Sequence, residues 1–229
     1  MLIGDVFGWF TDPENWSGTD GVPNRLAEHL VICAVTLLVA ILIALPLGLW
    51  IGHTNRGGAL AINVSNVGRA IPTLALLGLF SLWLGFGSIW PTIIALVALA
   101  IPPVITNTYV GVRGVDAAAV DAARGMGYTG GQVLWKVETP LAMPLIMAGV
   151  RSSAVAVVAT AALAAVVGQG GLGRYITDGL ATGRFEELVA GAILVALLAL
   201  LVDGLFALLS GVLDPTARAR RRVAAAQRA

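Results

Sequence analysis

Four small sets of residues in this chain have types and spacings that could do chemistry. Gly168, Gly170, Gly171 and Gly173 lie in GQGGLG, which satisfies the G-x-G-x-x-G pattern of a phosphate-cradling turn. Arg69, Arg151 and Asp203 each interrupt a long apolar run, where an ionisable side chain is costly and either pairs with another charge or lines a pathway. Trp83, Phe86 and Trp90 are close enough along the chain to offer aromatic faces to a cation. Asp121, Ala122, Ala123 and Gly127 open a polar stretch, DAARGMGYTGGQVLWKVETP, that ends at Pro140. The chain has no GxxxxGK[ST] phosphate loop, no metal-ligand spacing and no nucleophile–histidine pair with a plausible third member. No catalytic residue and no metal are therefore expected.

The segments that must hold these residues are overwhelmingly apolar. Of 229 residues, 58% are hydrophobic and 12% charged, and the mean hydropathy is +0.88. A soluble domain of this size needs more polar surface than that, and the charges here are missing from whole stretches rather than thinned evenly. Each stretch approaches the roughly 20 residues that cross the hydrocarbon core. An all-α polytopic membrane protein with about five transmembrane helices is expected. The spans are drawn at about 30–51, 59–86, 89–110, 141–167 and 188–213. The second carries Pro72 and several polar residues and is expected to be broken or tilted; Pro102–Pro103 should kink or unwind the third. Residues 1–29 form an extracytoplasmic N-terminal segment without the features of a cleavable signal, 30–213 the transmembrane domain, and 214–229 a cytoplasmic basic tail.

Basic residues set the orientation. One face receives Arg56, Arg113, Arg124, Lys136, Arg218, Arg220, Arg221, Arg222 and Arg228; the other receives only Arg25, Arg174 and Arg184, beside a larger set of acids. The N-terminus is thus expected outside and the C-terminus inside. The arginine-rich tail reads as a positive-inside anchor meeting anionic lipid rather than as a nucleic-acid site, and a net charge of +1 adds nothing for nucleic acid. Cys33 lies within an apolar run and is expected to be a buried small hydrophobe, and His53, isolated in a polar turn, to be solvated.

Segment 111–140 then becomes a cytoplasmic insert with room for two short helices. Asp116 is a good N-cap for AAAVDAARGM, whose alanine face allows close approach of another backbone. Gly127, Thr129, Gly130 and Gly131 stop that helix, QVLWKV resumes, and Pro140 ends the piece and enters the first turn of the next span. Such a segment buries little alone and reads as a docking element.

Asp121, Ala122, Ala123, Gly127 and Pro140 resemble, in type and spacing, the E-A-A, glycine and Leu-Pro pattern of the coupling loop in ABC-importer permeases. Asp121 stands where that family has Glu, and Thr139 where it usually has Leu. RAIPTLALLGLF (69–80), PPVITNTYVGVRGVD (102–116) and AALAAVVGQGGLG (161–173) resemble the osmoprotectant branch, which carries glycine betaine, carnitine or choline. The resemblance implies a cytoplasmic coupling helix seated on ABC ATPase subunits, which hold ATP and magnesium, while this chain binds no cofactor and is not an enzyme. It implies a second permease subunit, identical or not, and an external substrate-binding protein that carries the selective cage. It sets the chain in the bacterial cytoplasmic membrane. Import of methionine or another small polar solute is the alternative within transport, and a secondary transporter the alternative outside it; the latter would show internal repeats and functional acids at mid-membrane.

The remaining sets fall into place around that expectation. GQGGLG follows a membrane-length run and lies on the outside face, so it reads as a flexible turn at an outer gate or receptor-facing loop, followed by a short surface helix. Arg69, Arg151 and Asp203 each lie ten residues from the inner end of their spans, at a common depth of roughly 15 Å. Asp203 is expected to pair with Arg151 or Arg69, the alternative being that one arginine lines the pathway. The Trp83–Phe86–Trp90 group reads chiefly as an interfacial anchor.

Overall fold

The computed structural model describes residues 2–213, apart from the side chains of residues 2, 59–61, 64, 67, 69 and 213. The expected basic tail, 214–229, lies outside the described residues, as does the side chain of Arg69. Every regular element among the described residues is helical.

The chain opens with α1 (Leu2–Thr11) and a short 3-10 turn (Pro13–Trp16), then runs into α2 (Val22–Thr54). Helix α2 starts eight residues before the expected span at Leu30. Pro23 suits a first helical turn, and the four polar side chains that follow all find partners, the Asn24 amide donating to the Thr19 carbonyl at 2.6 Å. Arg25 is paired with Asp20 and Glu28, Glu28 also accepts from the backbone of Gly171, and the fully buried His29 meets the carbonyl of Val158.

The expected second span is broken. Helix α3 (Gly58–Ala70) stops before Ile71–Pro72, and α4 (Thr73–Leu84) restarts beyond it. Pro72 lacks the N–H that would continue the ladder and forces Ile71 away from helical backbone. At 1.5 Å per residue each piece is only about 20 Å long, shorter than the roughly 30 Å hydrocarbon core. By contrast α5 (Trp90–Arg113) stays helical through Pro102 and Pro103, so those prolines do not unwind it. The amide of Asn107 donates to the Pro103 carbonyl at 2.9 Å.

Beyond α5 come α6 (Ala117–Gly125), α7 (Gly130–Val133), a π turn (Leu134–Glu138), α8 (Thr139–Ala161), a 3-10 turn (Ala162–Val167), α9 (Gly173–Thr182) and α10 (Phe185–Leu213). Among the described residues, four stretches are long and apolar enough to cross a membrane: Val22–Thr54, Trp90–Arg113, Gly130–Val167 and Phe185–Val212. Helix α4 is a shorter apolar piece.

The chain divides into two compact units. The first takes residues up to Ala40, Arg69–Ala100 and Ala154–Val202. Its core joins Leu77 of α4, Ala95 of α5 and Val167 of the 3-10 turn. The second takes Ile41–Gly68, Ile101–Ser153 and the described chain from Asp203 onward. There α5 is the central strut. Gly48 and Gly52 of α2 lie against Thr108 and Val112 of α5, so closely that a Cβ on either glycine would come within 2.7 Å of them. On its other side Gly111 meets Ala142 of α8, and Gly149 of α8 meets Asn107. Helices in lipid gain little from burying apolar surface against one another, so close backbone approach through small residues supplies much of their attraction. Leu49, Val112, Ala142 and Ile146 fill the space between the three helices.

Candidate functional site

The polar insert lies wholly within the second unit. Asp116 caps α6, its carboxylate accepting from the amide of Ala118 at 3.0 Å. The helix ends at Gly125, just short of Gly127, whose φ of +85° is left-handed and whose N–H returns to the Arg124 carbonyl. Thr129 and Gln132 then form a reciprocal capping box that starts α7. Of the predicted set, Asp121 and Ala122 are exposed, while Ala123 is 1% exposed and anchors α6 to its own unit. Ala118, Asp121, Ala122 and Gly125 make one exposed stripe at helical spacing, flanked by exposed Met126 and Trp135. The stripe is shallow, with a single carboxylate, and suits close docking of another backbone. Over the turn, the Lys136 ammonium stands 5.6 Å from the Tyr128 ring centre.

Pro140 does not end the piece. It is the second residue of α8, and α7 passes into α8 through the π turn without a break. A proline there removes one N–H and crowds the carbonyl four residues back, at Lys136. The wider π turn over Leu134–Glu138 lets the helix continue past that defect. The insert is therefore joined to α8 by continuous helical backbone.

His53 is not simply solvated. It stands on the last turn of α2, and its Nδ1 is 2.6 Å from Oε2 of Glu138 in the π turn. Glu138 is 6% exposed. Sequence reading missed this contact because the partners lie 85 positions apart; a lone histidine carries no spacing signal. The Gly48–Gly52 seam was also missed, although its small-xxx-small spacing was a signal that could have found it.

The structure selects Arg151 as the partner of Asp203, with Nε donating to Oδ1 at 2.5 Å and Nη2 to Oδ2 at 2.6 Å. No pathway-lining role is needed to satisfy either charge.

In the first unit, the glycine turn is anchored, contrary to the expectation of a flexible loop. Gly168 and Gly171 have φ of +87° and +92°. The Gly171 N–H donates to Glu28 Oε2 at 2.8 Å, and the Gln169 amide donates to the Ser88 carbonyl at 2.9 Å. The Gly87 N–H reaches the Val167 carbonyl at 3.2 Å. A Cβ on Gly170 would strike the Glu28 carboxylate, and one on Gly173 the backbone of Ala162. These glycines admit neighbours rather than a phosphate, and no strand precedes them. After them, α9 buries Tyr175, whose hydroxyl donates to the Asp20 carbonyl at 2.6 Å. Burial pushes the Tyr175 phenol up to about 12. Trp83, Phe86 and Trp90 are all exposed, and among the described residues no ring contact gathers them into a cage.

Residues 31–218 match the family described as binding-protein-dependent transport system inner membrane component. The glycine betaine/carnitine/choline transport system permease protein OpuCB of Bacillus subtilis is 36% identical over 191 residues, 83% of this chain and 88% of that protein. The carnitine transport permease protein OpuCB of Listeria monocytogenes is 40% identical over 176 residues, 77% of this chain and 80% of its own length. Among solved structures, an inward-facing form of the MetNI methionine ABC transporter superimposes with a TM-score of 0.73 at 22% identity. That match covers 89% of this chain and 99% of the other and is a likeness of fold.

Proposed function

The chain belongs to the family of binding-protein-dependent transport system inner membrane components, and we propose that it is the permease subunit of an ABC importer for an osmoprotectant such as glycine betaine, choline or carnitine. The cargo rests on the similarity to permeases named for those solutes, which spans most of both chains. The drive rests on one observation: a capped, nine-residue helix, α6, with an exposed alanine and aspartate stripe, in a segment that runs into a membrane-length helix. Asp121, Ala122 and Gly127 dock on the cytoplasmic ABC ATPase, Ala123 and Pro140 hold the segment to the permease, and the motion of nucleotide binding and hydrolysis passes into α8. ATP and magnesium reside on the ATPase. This chain binds no cofactor and catalyses no reaction itself; its work is alternating access.

The segment then faces the cytoplasm, with the N-terminus outside and the C-terminus inside, in agreement with the distribution of Lys and Arg. The turn at Gly168, Gly170, Gly171 and Gly173 lies on the outer side, where an external binding protein delivers its solute. A second permease subunit completes the pathway. The Arg151–Asp203 pair holds the bundle together, and lipid covers the apolar helix faces.

The test is reconstitution. The permease, its ATPase and the external binding protein are placed in proteoliposomes, and ATP-dependent uptake of labelled glycine betaine, choline and carnitine is measured beside methionine. Uptake of one of the quaternary amines, abolished without the binding protein, supports the reading. Uptake of methionine alone would reverse the choice of cargo, and uptake independent of ATP would remove the importer assignment.

A further inference from the structure

We infer that His53 is a positioning residue for the coupling segment: it ties the C-terminal end of α2 to the π turn, so that displacement of the segment moves α2 together with α8. This rests on the reading of 111–140 as the segment driven by the ATPase.

Three observations meet at this contact. Glu138 is almost wholly buried, so its Oε2 has little water to turn to and its hydrogen bond from His53 Nδ1, 2.6 Å away, is a costly one to lose. Glu138 is also the last residue of the π turn, the irregular turn between the docking helices and α8. A force on α6 and α7 reaches α8 through that turn, and His53 grips it there.

Finally, His53 is itself held in place. Thr54 donates its hydroxyl to the Trp50 carbonyl, and Asn55 and Gly57 take left-handed backbone that ends α2 immediately after it. A Cβ on Gly130, at the start of α7, would lie in ordinary contact with the other ring nitrogen, 3.5 Å away, so the ring stands beside α7. Below it, Gly52 of α2 is locked against Val112 of α5. The end of α2 thus meets the last residue of the π turn through one side chain, beside the first residue of α7.

A contact that serves stability alone and one that transmits motion differ in what they do to coupling. The readout is solute imported per ATP hydrolysed in proteoliposomes that hold permease, ATPase and binding protein. His53→Ala and Glu138→Leu are each expected to bind the ATPase and to keep it hydrolysing, while import per ATP falls about tenfold, as loss of a charge-assisted hydrogen bond implies. His53→Asn, whose amide nitrogen occupies the place of Nδ1, should restore most of the ratio. The double variant should be no worse than either single one. A wild-type ratio in both single variants overturns the inference, and so does less assembled complex at an unchanged ratio or an Asn variant as poor as Ala. If His53→Ala does not accumulate, Glu138→Leu, which keeps the site filled, decides the matter alone. Failure of the wild-type chain to bind the ATPase would instead overturn the coupling reading beneath this one.

Discussion

Arg151 and Asp203 form a two-pronged pair, two parallel N–H···O bonds of 2.5 and 2.6 Å between α8 and α10. Planar guanidinium and carboxylate groups match only in this orientation, so the pair sets the rotation of one helix against the other as well as holding them together. It also explains why two charges persist in helices that are otherwise apolar: each is costly in hydrocarbon alone and tolerable together.

Removing one partner should therefore be worse than removing both. Arg151→Ala and Asp203→Ala are each expected to lower the amount of folded protein in the membrane several-fold. The exchanged pair, Arg151→Asp with Asp203→Arg, should recover much of it, and Arg151→Lys, which keeps the charge and loses the fork, should fall between. Quantitative detection in membranes and detergent melting read the result; an exchange as poor as the single variants would rule the pair out as the cause.

Gly127 separates conformational need from steric need. Its φ is +85° and no atom lies within 4 Å of a Cβ built there. Gly127→Ala should thus cost only the left-handed strain of about 1–2 kcal/mol, felt in the turn between α6 and α7. Affinity for the ATPase should drop about tenfold while the melting temperature of the isolated permease falls by only a few degrees. A normal affinity would mean that the turn need not keep this shape to dock.

Gly171 and Gly183 offer a matched comparison, with φ of +92° and +74°. A Cβ on Gly171 would lie 3.2 Å from the His29 ring, whereas one on Gly183 meets nothing within 4 Å. Both alanine variants carry the backbone strain, about 1–2 kcal/mol, and only Gly171→Ala adds a clash with a buried ring. Gly171→Ala should melt lower than Gly183→Ala; equal melting temperatures would show that His29 yields freely.

Tyr175 predicts an alkaline transition. Its phenol is raised from 10.0 to about 12 because burial disfavours the phenolate. The folded state therefore holds this proton more tightly than the unfolded chain, and the stabilisation is complete below about pH 10 and lost as pH rises toward 12. Tyr175→Phe lacks both the titration and the bond to the Asp20 carbonyl, so it should be about 1 kcal/mol less stable at neutral pH. The gap between the two proteins should narrow between pH 10 and 12 in detergent melting. A gap that stays constant over that range would show that Tyr175 ionises without consequence.

Much of this architecture was legible in the sequence because it is local. The break at Ile71–Pro72, the cap at Asp116 and the left-handed stop at Gly127 all follow from residues within a few positions of one another. Local reading failed where a polar residue was judged without its partner. His53 read as part of a solvated turn and the 168–173 glycines as a flexible one; each is satisfied by something far along the chain. The prolines at 102 and 103 do not unwind α5, which stays helical through them despite the missing donors.

Sequence by itself determined that the chain is a bundle of apolar helices carrying one polar insert, because hydrocarbon thickness and helix caps act on contiguous residues. Only the tertiary structure decided that Arg151 meets Asp203, that His53 meets Glu138 and that Glu28 meets Gly171. Those partners stand 52, 85 and 143 positions apart. Their meeting depends on the rotation and register of whole helices against one another. That register is set by close glycine contacts and packed cores, which no periodicity within a single segment encodes.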